Sequence, residues 1–591
     1  MNINKFLMPI CLSVVSLFAS CSMFDDFLTV PPTDKITGEE YWEDKADLTS
    51  IVASCYTNMC SENVIKRFFL WGELRSDNYL LNKEGEEDIK NIMNANLLPT
   101  NGWFNWEHLY KTIGYCNLGL AKGEEYINDN RDQSFSIEEW EPMRAELKAI
   151  RALNYFYLVR AFNNVPFVVK SNDTSNGAKD SVAQTSAHDI LNYLIKDLDE
   201  CKDEAMISYG NKVSDKGRIT KKAVYAILAD MYLWRAALGA KDTTGVYNPT
   251  EDYQKCIECC DFVINDVIKD FEEERETYYG SKMDKVHPSG TVIPAPLYIC
   301  EKGSHDDIPF NEIFGSKNSL ESIFELQFDG TNNKNSAYGT FLGGESNGSF
   351  QPGTLTAANL FETTDDKADP KSKAFCKTDI RYCETIYKNA SSQKSTIPIS
   401  KFAMTRISTP NMQNVIDDNF GVGDRYKGSV RKTGDNDGNF IFYRVSEIML
   451  MKAEALAAIS DEDSEILKQA FDLVKAVYDR SNPEATNDAI LKNEYTSTES
   501  MMGLILRERQ RELFGEGKRW FDLVRYALYC GNTKSMLDIL TVKYVSNSNA
   551  IKAKLSTINS LYNPIYNEEI KVNPALVQNP TWQTEEEVVR N

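Results

Sequence analysis

The segment Glu141–Phe162 carries apolar residues on so many sides of a helix that it cannot lie isolated on a protein surface. Two apolar stripes run along it at three- and four-residue steps: Leu147, Ile150, Leu153, Tyr157 and Ala161 form one, and Ala149, Ala152 and Phe156 form the other. A helix that is apolar on most sides is covered by neighbouring chain. The sequence therefore predicts a scaffold in which further helices pack around this one.

Further segments show the same helical periodicity: Ala187–Cys201, Lys221–Leu238, Tyr253–Ile268, Phe440–Ile459, Ser464–Tyr478 and Met501–Tyr529. Ser186 and Asp189 form a capping box at the start of the first of them. These helices follow one another in pairs, with small residues at the expected crossings, and so resemble tetratricopeptide repeats. Repeats of this kind bury their apolar faces by stacking on their neighbours. The predicted fold class is mainly α, with a tetratricopeptide-like scaffold of helical pairs.

A long insert of different composition separates the last pairs from the first. Residues 271–439 are rich in Gly, Asn, Ser, Asp and Pro, with strand-like runs only at Ile323–Phe328 and Thr396–Ala403. This composition indicates an irregular insert of loops, short helices and a few short strands, and such loops collect binding residues. The mature chain then divides into an N-terminal part (21–270), the insert (271–439) and a C-terminal part (440–591) that has an irregular tail.

The N-terminus has the form of an export signal. Lys5 precedes the apolar run Phe6–Ala19, which is shorter than the roughly 20 residues that span a bilayer. The small residues Ala19 and Ser20 stand directly before Cys21, as in bacterial lipoproteins. We therefore predict a signal peptide over 1–20 and lipidation of Cys21, with an ordinary signal peptide and an incidental cysteine as the alternative. Acyl chains on Cys21 would hold the protein on a membrane.

The charge of the chain excludes one class of partner. The formal net charge is −22 at pH 7, and the chain has no block rich in Lys and Arg. Such a surface repels phosphate backbones, so we predict no nucleic-acid partner. Electrostatics alone would not hold it on anionic lipid either.

No motif in the chain marks a catalytic or metal site. The four histidines are far apart in sequence, and His305-Asp306-Asp307 is interpreted as a solvated loop, with metal binding as the alternative. Asp435–Gly438 resembles a calcium loop, but the bidentate glutamate position falls on Arg444. The cysteines of Tyr253–Ile268 lack the four ligands of a structural zinc site, so we predict buried thiols there. The chain is predicted not to be an enzyme and to hold no cofactor or metal.

A series of short motifs follows Asp25-Asp26 in order along the mature chain: Phe27-Leu28, Pro31-Pro32, Tyr41-Trp42, Trp71–Asn78, Trp106–Asn117, Ala145–Ala152, Val165-Pro166, Gly217–Ala223, Glu321–Phe328, Asp379–Arg381, Tyr443–Leu450, Arg507–Arg525, Asn563–Ile570 and Gln578–Pro580. Each motif alone is weak, but their common order is specific and resembles the SusD/RagB family of outer-membrane lipoproteins of Bacteroidetes. Asp25-Asp26 resembles the acidic export tag of that group. Two positions depart from the family pattern: Asn163-Asn164 replaces a usual glycine, and Gly515 replaces an acidic or aromatic residue.

The resemblance implies a function as well as a fold. Members of this family lie on the cell surface as a hinged lid over a TonB-dependent transporter of the SusC type, capture an oligosaccharide and pass it to the barrel. The alternative within the family is peptide capture, as in RagB-like members. The charged residues of Arg507–Arg525 are predicted to form buried ion pairs rather than a catalytic site, with Glu512 and Arg519 as one candidate pair.

Sugar binding requires exposed aromatic faces flanked by side chains that hydrogen-bond hydroxyls. Trp103 lies in the loop Thr100–Asn105, outside the family motifs, and we predict that it contributes to the ligand site; core packing is the competing interpretation. Asp77, Asn78 and Asn105 are expected on the same surface. Further candidates are aromatic residues of the insert whose glycine-rich flanks suggest a mobile loop: Tyr338, Phe341 and Phe350.

Overall fold

The computed structural model describes residues 42, 44–81, 86–129, 132, 135–171, 181–274, 296–298, 308–343, 348–352, 379, 381, 385, 399, 401–403, 431–482, 492–544 and 546–583. The predicted signal peptide, Cys21, the acidic pair Asp25-Asp26 and His305 lie outside these residues. So does half of the predicted strand Thr396–Ala403. Across the described part of the chain, no helix is both long enough and apolar enough to cross a membrane.

Helices dominate the described residues. In chain order they are α1 (Lys45–Met59), α2 (Glu62–Glu73), α3 (Glu87–Met93), α4 (Glu107–Asp129), α5 (Ile137–Phe162), α6 (Ala187–Asp199), α7 (Lys212–Gly217), α8 (Lys221–Gly239), α9 (Pro249–Glu274), α10 (Ile308–Phe310), α11 (Val445–Ile459), α12 (Ser464–Ser481), α13 (Thr498–Glu512), α14 (Arg519–Cys530), α15 (Lys534–Leu540), α16 (Ser548–Lys554) and α17 (Asn567–Val572). The predicted mainly α fold class is confirmed.

The strands are short and pair in twos, all antiparallel. They are β1 (Tyr79–Leu81) with β5 (Phe350–Pro352), β2 (Val165–Pro166) with β3 (Gln184–Thr185), and β4 (Ser322–Leu326) with β6 (Phe440–Arg444). The predicted strand Ile323–Phe328 corresponds to β4, every residue of which is buried. Because β1 and β4 pair with strands far away in sequence, they tie the insert to both flanking parts.

Two predicted helical segments, Phe440–Ile459 and Met501–Tyr529, are longer than the helices that the structure has there. The first five residues of Phe440–Ile459 form β6, because the run Phe-Ile-Phe-Tyr-Arg pairs with β4 before α11 begins. Met501–Tyr529 contains two helices, α13 and α14, rather than one. The break contains Gly515 and Gly517, which have φ angles of +80° and +76°, where side-chain-bearing residues are strained.

The helices stack as the repeat pattern predicts. The helix α5 packs against α4 and α6, and α8 packs against α9. The helix α9 in turn packs against α11, although the insert separates them in sequence. The later helices α12 and α13 then cover α11. The scaffold is therefore continuous in space and interrupted only along the chain.

Two glycines bring the N-terminal and C-terminal motifs into backbone contact. A Cβ atom on Gly72 of α2 would lie 1.8 Å from the carbonyl oxygen of Gly517, so no larger residue fits there without displacing backbone. This approach places the neighbouring Glu73 carboxylate 3.1 Å from the amide nitrogen of Gly517, which donates to it. The C-terminal end of α2 is thereby fixed against the turn between α13 and α14.

Candidate functional site

The charged side chains of the Arg507–Arg525 motif lie inside the protein. Glu512 is buried and accepts hydrogen bonds from three guanidinium groups, those of Arg381, Arg444 and Arg480. Burial alone would raise the pKa of Glu512, but these three cations hold it well below its ordinary value. Buried ion pairs are confirmed, although the expected pairing of Glu512 with Arg519 is wrong.

Arg519 instead pairs with Asp77, and this corrects the expectation that Asp77 and Asn78 project to a ligand-binding surface. The carboxylate of Asp77 accepts from Arg519 Nε at 2.7 Å, and the Asp77 residue is only 5% exposed. Asn78 is fully buried, with its side chain between Glu73 and Gln510. A carboxylate can stay charged in the protein interior when a cation lies beside it, and here that cation is Arg519, from the C-terminal part of the chain.

Trp103 is the sequence-predicted aromatic residue that keeps part of its ring at the surface. It lies in a 3₁₀ turn, Gly102–Phe104, at the start of which the side chain of Asn101 accepts a hydrogen bond from the Trp103 amide. The half-buried indole has the guanidinium of Arg67 5.6 Å from its ring centroid and the ring of Phe341 edge-on at 6.3 Å. Arg67 and Phe341 thus cover part of the indole, and the rest of Trp103 is exposed to solvent.

Asn105 lies directly after this turn and is also half-buried. Its side-chain oxygen accepts from the amide of Glu107 at 2.8 Å, and its backbone carbonyl accepts from Arg67 Nε at 2.7 Å. Asn105 therefore starts α4 and keeps the Trp103 turn in place. Of the predicted polar partners, Asn105 is the one that the structure brings next to Trp103.

The aromatic residues of the insert are buried, so the expectation of a mobile aromatic loop is wrong. Phe341 and Phe350 stack on each other at 5.0 Å between centroids, and both stack on Phe69 of α2. Tyr338 stacks on Phe402 at 4.0 Å. A ring that is enclosed on both faces by other rings has no face for a sugar, so these side chains form a buried cluster, in which Phe341 contacts Trp103.

A polar cleft of about 540 Å³ opens beside this aromatic cluster. Its walls come from the start of α2 and from two segments of the insert: Cys60, Ser61, Glu62, Asn332, Asn333, Lys334, Asn335, Ser336, Gly339, Thr340, Thr433, Gly434 and Asn436. Most of these side chains are amides or hydroxyls, which both donate and accept hydrogen bonds. The cleft is thus suited to a ligand that carries many hydroxyl groups.

The first turns of α2 connect the cleft to Trp103. Glu62 in the cleft wall binds Lys66 one turn later, with 2.6 Å between Nζ and Oε1. The Lys66 ammonium lies 6.0 Å from the ring centroid of Phe341, which itself contacts Trp103. The next residue, Arg67, lies against the indole. We define the candidate site as this cleft together with Trp103.

Sequence reasoning missed the cleft residues, although one signal for them was present. The segment Asp329–Asn335 contains three asparagines in seven residues, in a region already expected to form loops. The Asp329 carboxylate accepts from the backbone amides of Thr331, Asn332 and Asn333, and this turn presents the asparagines at the cleft wall. Side-chain to backbone bonding of this kind is typical of Asp and Asn in turns.

Nucleophilic and metal chemistry find little support among these residues. Burial raises the pKa of the Cys60 thiol in the cleft wall to about 11, so the group is a thiol at neutral pH. Cys256, Cys259 and Cys260 are buried free thiols on α9, as predicted. Among the described residues, no three His, Cys, Asp or Glu side chains are grouped to hold a metal ion.

Comparison with known proteins agrees with this architecture. A family model described as "SusD family" matches residues 320–582, and one described as "Starch-binding associating with outer membrane" matches residues 26–233. The SusD-like protein P38 of Formosa agariphila is 23% identical over 538 residues, covering 88% of this chain and 90% of that protein. The starch-binding protein SusD of Bacteroides thetaiotaomicron is 24% identical over 203 residues, covering 34% and 32% respectively.

Solved structures show the same fold. A SusD superfamily protein from Bacteroides vulgatus superposes with a TM-score of 0.62 at 17% identity and covers 92% of this chain and all of its own. A second, from Bacteroides thetaiotaomicron, gives a TM-score of 0.60 at 18% identity over 92% and 99% of the two chains. The chain belongs to the SusD/RagB family. Proteins of this family bind ligands rather than catalyse reactions, and the matched description associates them with the outer membrane.

Proposed function

We propose that this protein captures an oligosaccharide at the cell surface and delivers it to a SusC-like TonB-dependent transporter. The observations that carry the proposal are the partly buried Trp103 and a cleft at the start of α2 that is lined mostly by amides and hydroxyls, in a chain of this family. The similarity to a protein named as starch-binding supports a glycan as the ligand class. The reported relatives give no support to the alternative, peptide capture.

Trp103 and the polar residues of the cleft are proposed to bind different parts of a sugar. Trp103 offers a flat apolar surface on which the C–H face of a sugar ring can stack. Asn332 and Asn333 in the cleft wall offer side-chain amides for the hydroxyls around that ring, although their Nδ2 atoms also donate to Asp329 and to the carbonyl of Gln327. A few directed polar groups beside an apolar surface are what fixes a ligand's orientation.

Catalysis is not part of the proposal. Glycoside hydrolysis uses two carboxyl groups facing each other across the bond to be broken. The carboxylate in the wall of the cleft, Glu62, is bound to Lys66, and Asp435 at the rim is bound to Lys334. Lys334 lowers the pKa of Asp435, which leaves that group without a proton to donate at neutral pH.

The proposed attachment to the membrane is through lipid on Cys21, with the folded chain on the outer surface. Two or more acyl chains make a stable anchor, whereas one chain gives only marginal binding. A Cys21→Ala variant, expressed without the transporter partner, is expected to leave the membrane fraction. Its retention there would contradict lipid anchoring.

Binding to glycans tests the site directly. A Trp103→Ala variant is expected to lose at least about tenfold in affinity for the glycan that the wild-type protein binds, measured by affinity electrophoresis and calorimetry. Tyr193→Ala is the matched control, because Tyr193 is a 42% exposed aromatic residue that packs on Phe167 and not on the cleft. Unchanged affinity in a folded Trp103→Ala protein would contradict the assignment.

A further inference from the structure

We infer that Arg67 of α2 is a positioning residue: its guanidinium holds the turn that carries Trp103 and so fixes the indole before ligand arrives. The inference rests on the proposed function, which it deepens by naming the side chain that sets the position of the stacking ring. It comes from the hydrogen bonds, the burial and the charge of Arg67.

The guanidinium of Arg67 bridges the two ends of the Trp103 turn. Its Nη2 donates to the carbonyl of Gly102 at 2.9 Å, and its Nε donates to the carbonyl of Asn105 at 2.7 Å. The third nitrogen, Nη1, donates to the carbonyl of Asn63 in the preceding turn of α2 at 2.8 Å, which ties the guanidinium to its own helix. One side chain therefore connects both ends of the turn to α2.

A second side chain of α2 binds the carbonyl that lies between these two ends. Trp71, one helical turn after Arg67, donates from its indole nitrogen to the carbonyl of Trp103 at 3.0 Å. Residues four apart lie on the same face of a helix, so Arg67 and Trp71 present their donors to the turn side by side. The carbonyls of Gly102, Trp103 and Asn105 thus all accept hydrogen bonds from one face of α2.

Arg67 is buried and yet stays charged, which makes its hydrogen bonds strong. The residue is 6% exposed, and burial lowers its pKa to about 10, while the carboxylates of Glu107 and Glu569 act in the opposite direction. The group is therefore a cation at neutral pH, and hydrogen bonds from an ionised donor are stronger than those from a neutral one. The planar fork of Arg holds both end carbonyls in one geometry, whereas the ammonium group of a lysine is a compact point charge.

The same guanidinium lies against the indole ring. Its central carbon is 5.6 Å from the ring centroid of Trp103, within the distance at which a cation attracts an aromatic face. Arg67 therefore contacts both the ring of Trp103 and the backbone on either side of it. A ring that is already held loses less conformational entropy when a ligand stacks on it. Removal of Arg67 should then weaken binding through Trp103, although Arg67 itself is almost entirely enclosed.

Arg75 offers a matched control, because it makes the same kinds of contact at another turn. It is 5% exposed, its Nη1 and Nη2 donate to two carbonyls of the 3₁₀ turn Ile558–Leu561, and its guanidinium lies 4.1 Å from the ring centroid of Trp520. The substitution Arg75→Met thus removes a buried guanidinium from an indole and a 3₁₀ turn, as Arg67→Met does, but leaves the contacts of Trp103 in place.

The first measurement follows the Trp103 turn in the absence of ligand. Hydrogen exchange is measured by mass spectrometry on the full chain, purified from membranes in mild detergent. We expect Arg67→Met to raise the exchange rate of the peptide covering residues 100–107 by about tenfold or more, because the amides of Phe104 and Asn105 are bonded only while the turn is formed. In Arg75→Met the peptide covering 556–563 should exchange faster instead, with 100–107 unchanged.

The second measurement is affinity for the glycan that the wild-type protein binds. Arg67→Met is expected to bind it about fivefold more weakly, and Arg75→Met with unchanged affinity. Arg67→Lys should restore neither the affinity nor the slow exchange, because it keeps the charge and loses the planar fork. In a Trp103→Ala background, Arg67→Met should cause no further loss, since a residue that acts only through Trp103 has nothing left to position.

Two results would overturn the inference and leave glycan capture standing. One is slow exchange of residues 100–107 in a folded Arg67→Met protein. The other is an equal loss of affinity from Arg67→Met with and without Trp103, which would mean that Arg67 acts on the ligand by another route. Binding of no glycan by the wild-type protein would overturn glycan capture itself, and the inference with it.

Discussion

Asn163 ends α5 in a backbone conformation that is unfavourable for any residue with a side chain. Its φ and ψ are +66° and −84°, and its amide still donates to the carbonyl of Val159 at 2.8 Å. The pair Asn163-Asn164 stands where the family pattern has a glycine, and the positive φ of Asn163 is a physical reason for a glycine at this turn. Strain of this kind costs on the order of 1–3 kcal/mol.

Asn163→Gly is therefore expected to raise the free energy of unfolding by about 1 kcal/mol, after allowing for the greater freedom of glycine in the unfolded chain. Urea denaturation of both proteins measures the difference. Asn164→Gly is the matched control: the Asn164 side chain accepts from the amide of Ala187 at 3.2 Å, so this change should destabilise. A loss of stability in Asn163→Gly would argue against strain at that residue.

Glu73 is a buried carboxyl group whose charge is poorly compensated. It accepts from the amides of Gly517 and Lys518 and from the side chain of Asn78, yet burial raises its pKa to about 8. Because the folded state holds this proton more tightly than the unfolded chain, the contribution of Glu73 to stability falls as pH rises from about 4.5 to about 8.

We therefore expect Glu73→Gln to be stabilised relative to wild type by a margin that grows on the order of 3 kcal/mol between pH 5 and pH 8. The measurement is the free energy of unfolding of both proteins at the two pH values. Other titrating groups act equally in both and cancel in the comparison. A constant difference across this range would show that the pKa of Glu73 is not raised.

At the same scale, Asp77 and Trp103 show what a sequence could and could not predict about the site. Trp103 is predicted to lie in the ligand site because it is an aromatic residue in a polar loop outside the family motifs. Its partly exposed position agrees with that prediction. Whether Asp77 is buried or exposed depends on whether a cation lies beside its carboxylate in the folded chain. That cation, Arg519, comes from 442 positions further along the chain, and no local pattern predicts so distant a pairing.

Helices were predictable from the sequence because their apolar stripes are local. The starts of α6 and α8 agree with the predicted ones, and at α6 the side chain of Ser186 accepts from the amide of Asp189. The predicted secondary structure is wrong where contacts distant in sequence determine it. At β6, for example, the residues form a strand because they pair with β4. The aromatic pattern of Phe440–Tyr443 suits either a buried helix or a strand.

The helix α4 offers a matched pair of glycines that tests how closely it packs on α5. A Cβ atom on Gly123 would lie 2.0 Å from the indole of Trp140, which is fully buried, whereas one on Gly114 would meet nothing within 4 Å. Gly123→Ala is expected to lower the free energy of unfolding by about 1–3 kcal/mol through overpacking. Gly114→Ala should raise it by up to about 1 kcal/mol, from helix propensity alone.

Thermal and urea denaturation of the two variants check this prediction. Similar effects of the two substitutions would mean that α4 and α5 do not approach as closely at Gly123 as the structure places them. The comparison is controlled internally, since both changes add the same methyl group to the same helix.

Across the whole molecule, buried charge joins parts that are distant in sequence. Arg381 of the insert binds Glu508 and Glu512 of α13, while Lys401 of the insert binds Glu516. The insert is therefore fixed to the C-terminal scaffold by ion pairs as well as by the pairing of β4 with β6. Breaking one such buried pair by removing a single partner is costly, because it leaves an uncompensated buried charge.

This arrangement gives the proposed function a mechanical basis. The cleft lies where the start of α2 meets segments of the insert, and Trp103 is supported by Arg67 and Phe341 from those same two parts. The domain boundaries at 270 and 440 remain a prediction.

Capture of glycan by whole cells tests the central claim most directly. Cells that display the wild-type protein, its Trp103→Ala variant or its Tyr193→Ala variant are incubated with a fluorescent oligosaccharide, and surface levels are matched by protease accessibility. We predict that wild-type and Tyr193→Ala cells retain the label and that Trp103→Ala cells retain at least about tenfold less. Equal labelling of all three, at equal surface levels, would contradict the claim that this site captures glycan at the cell surface.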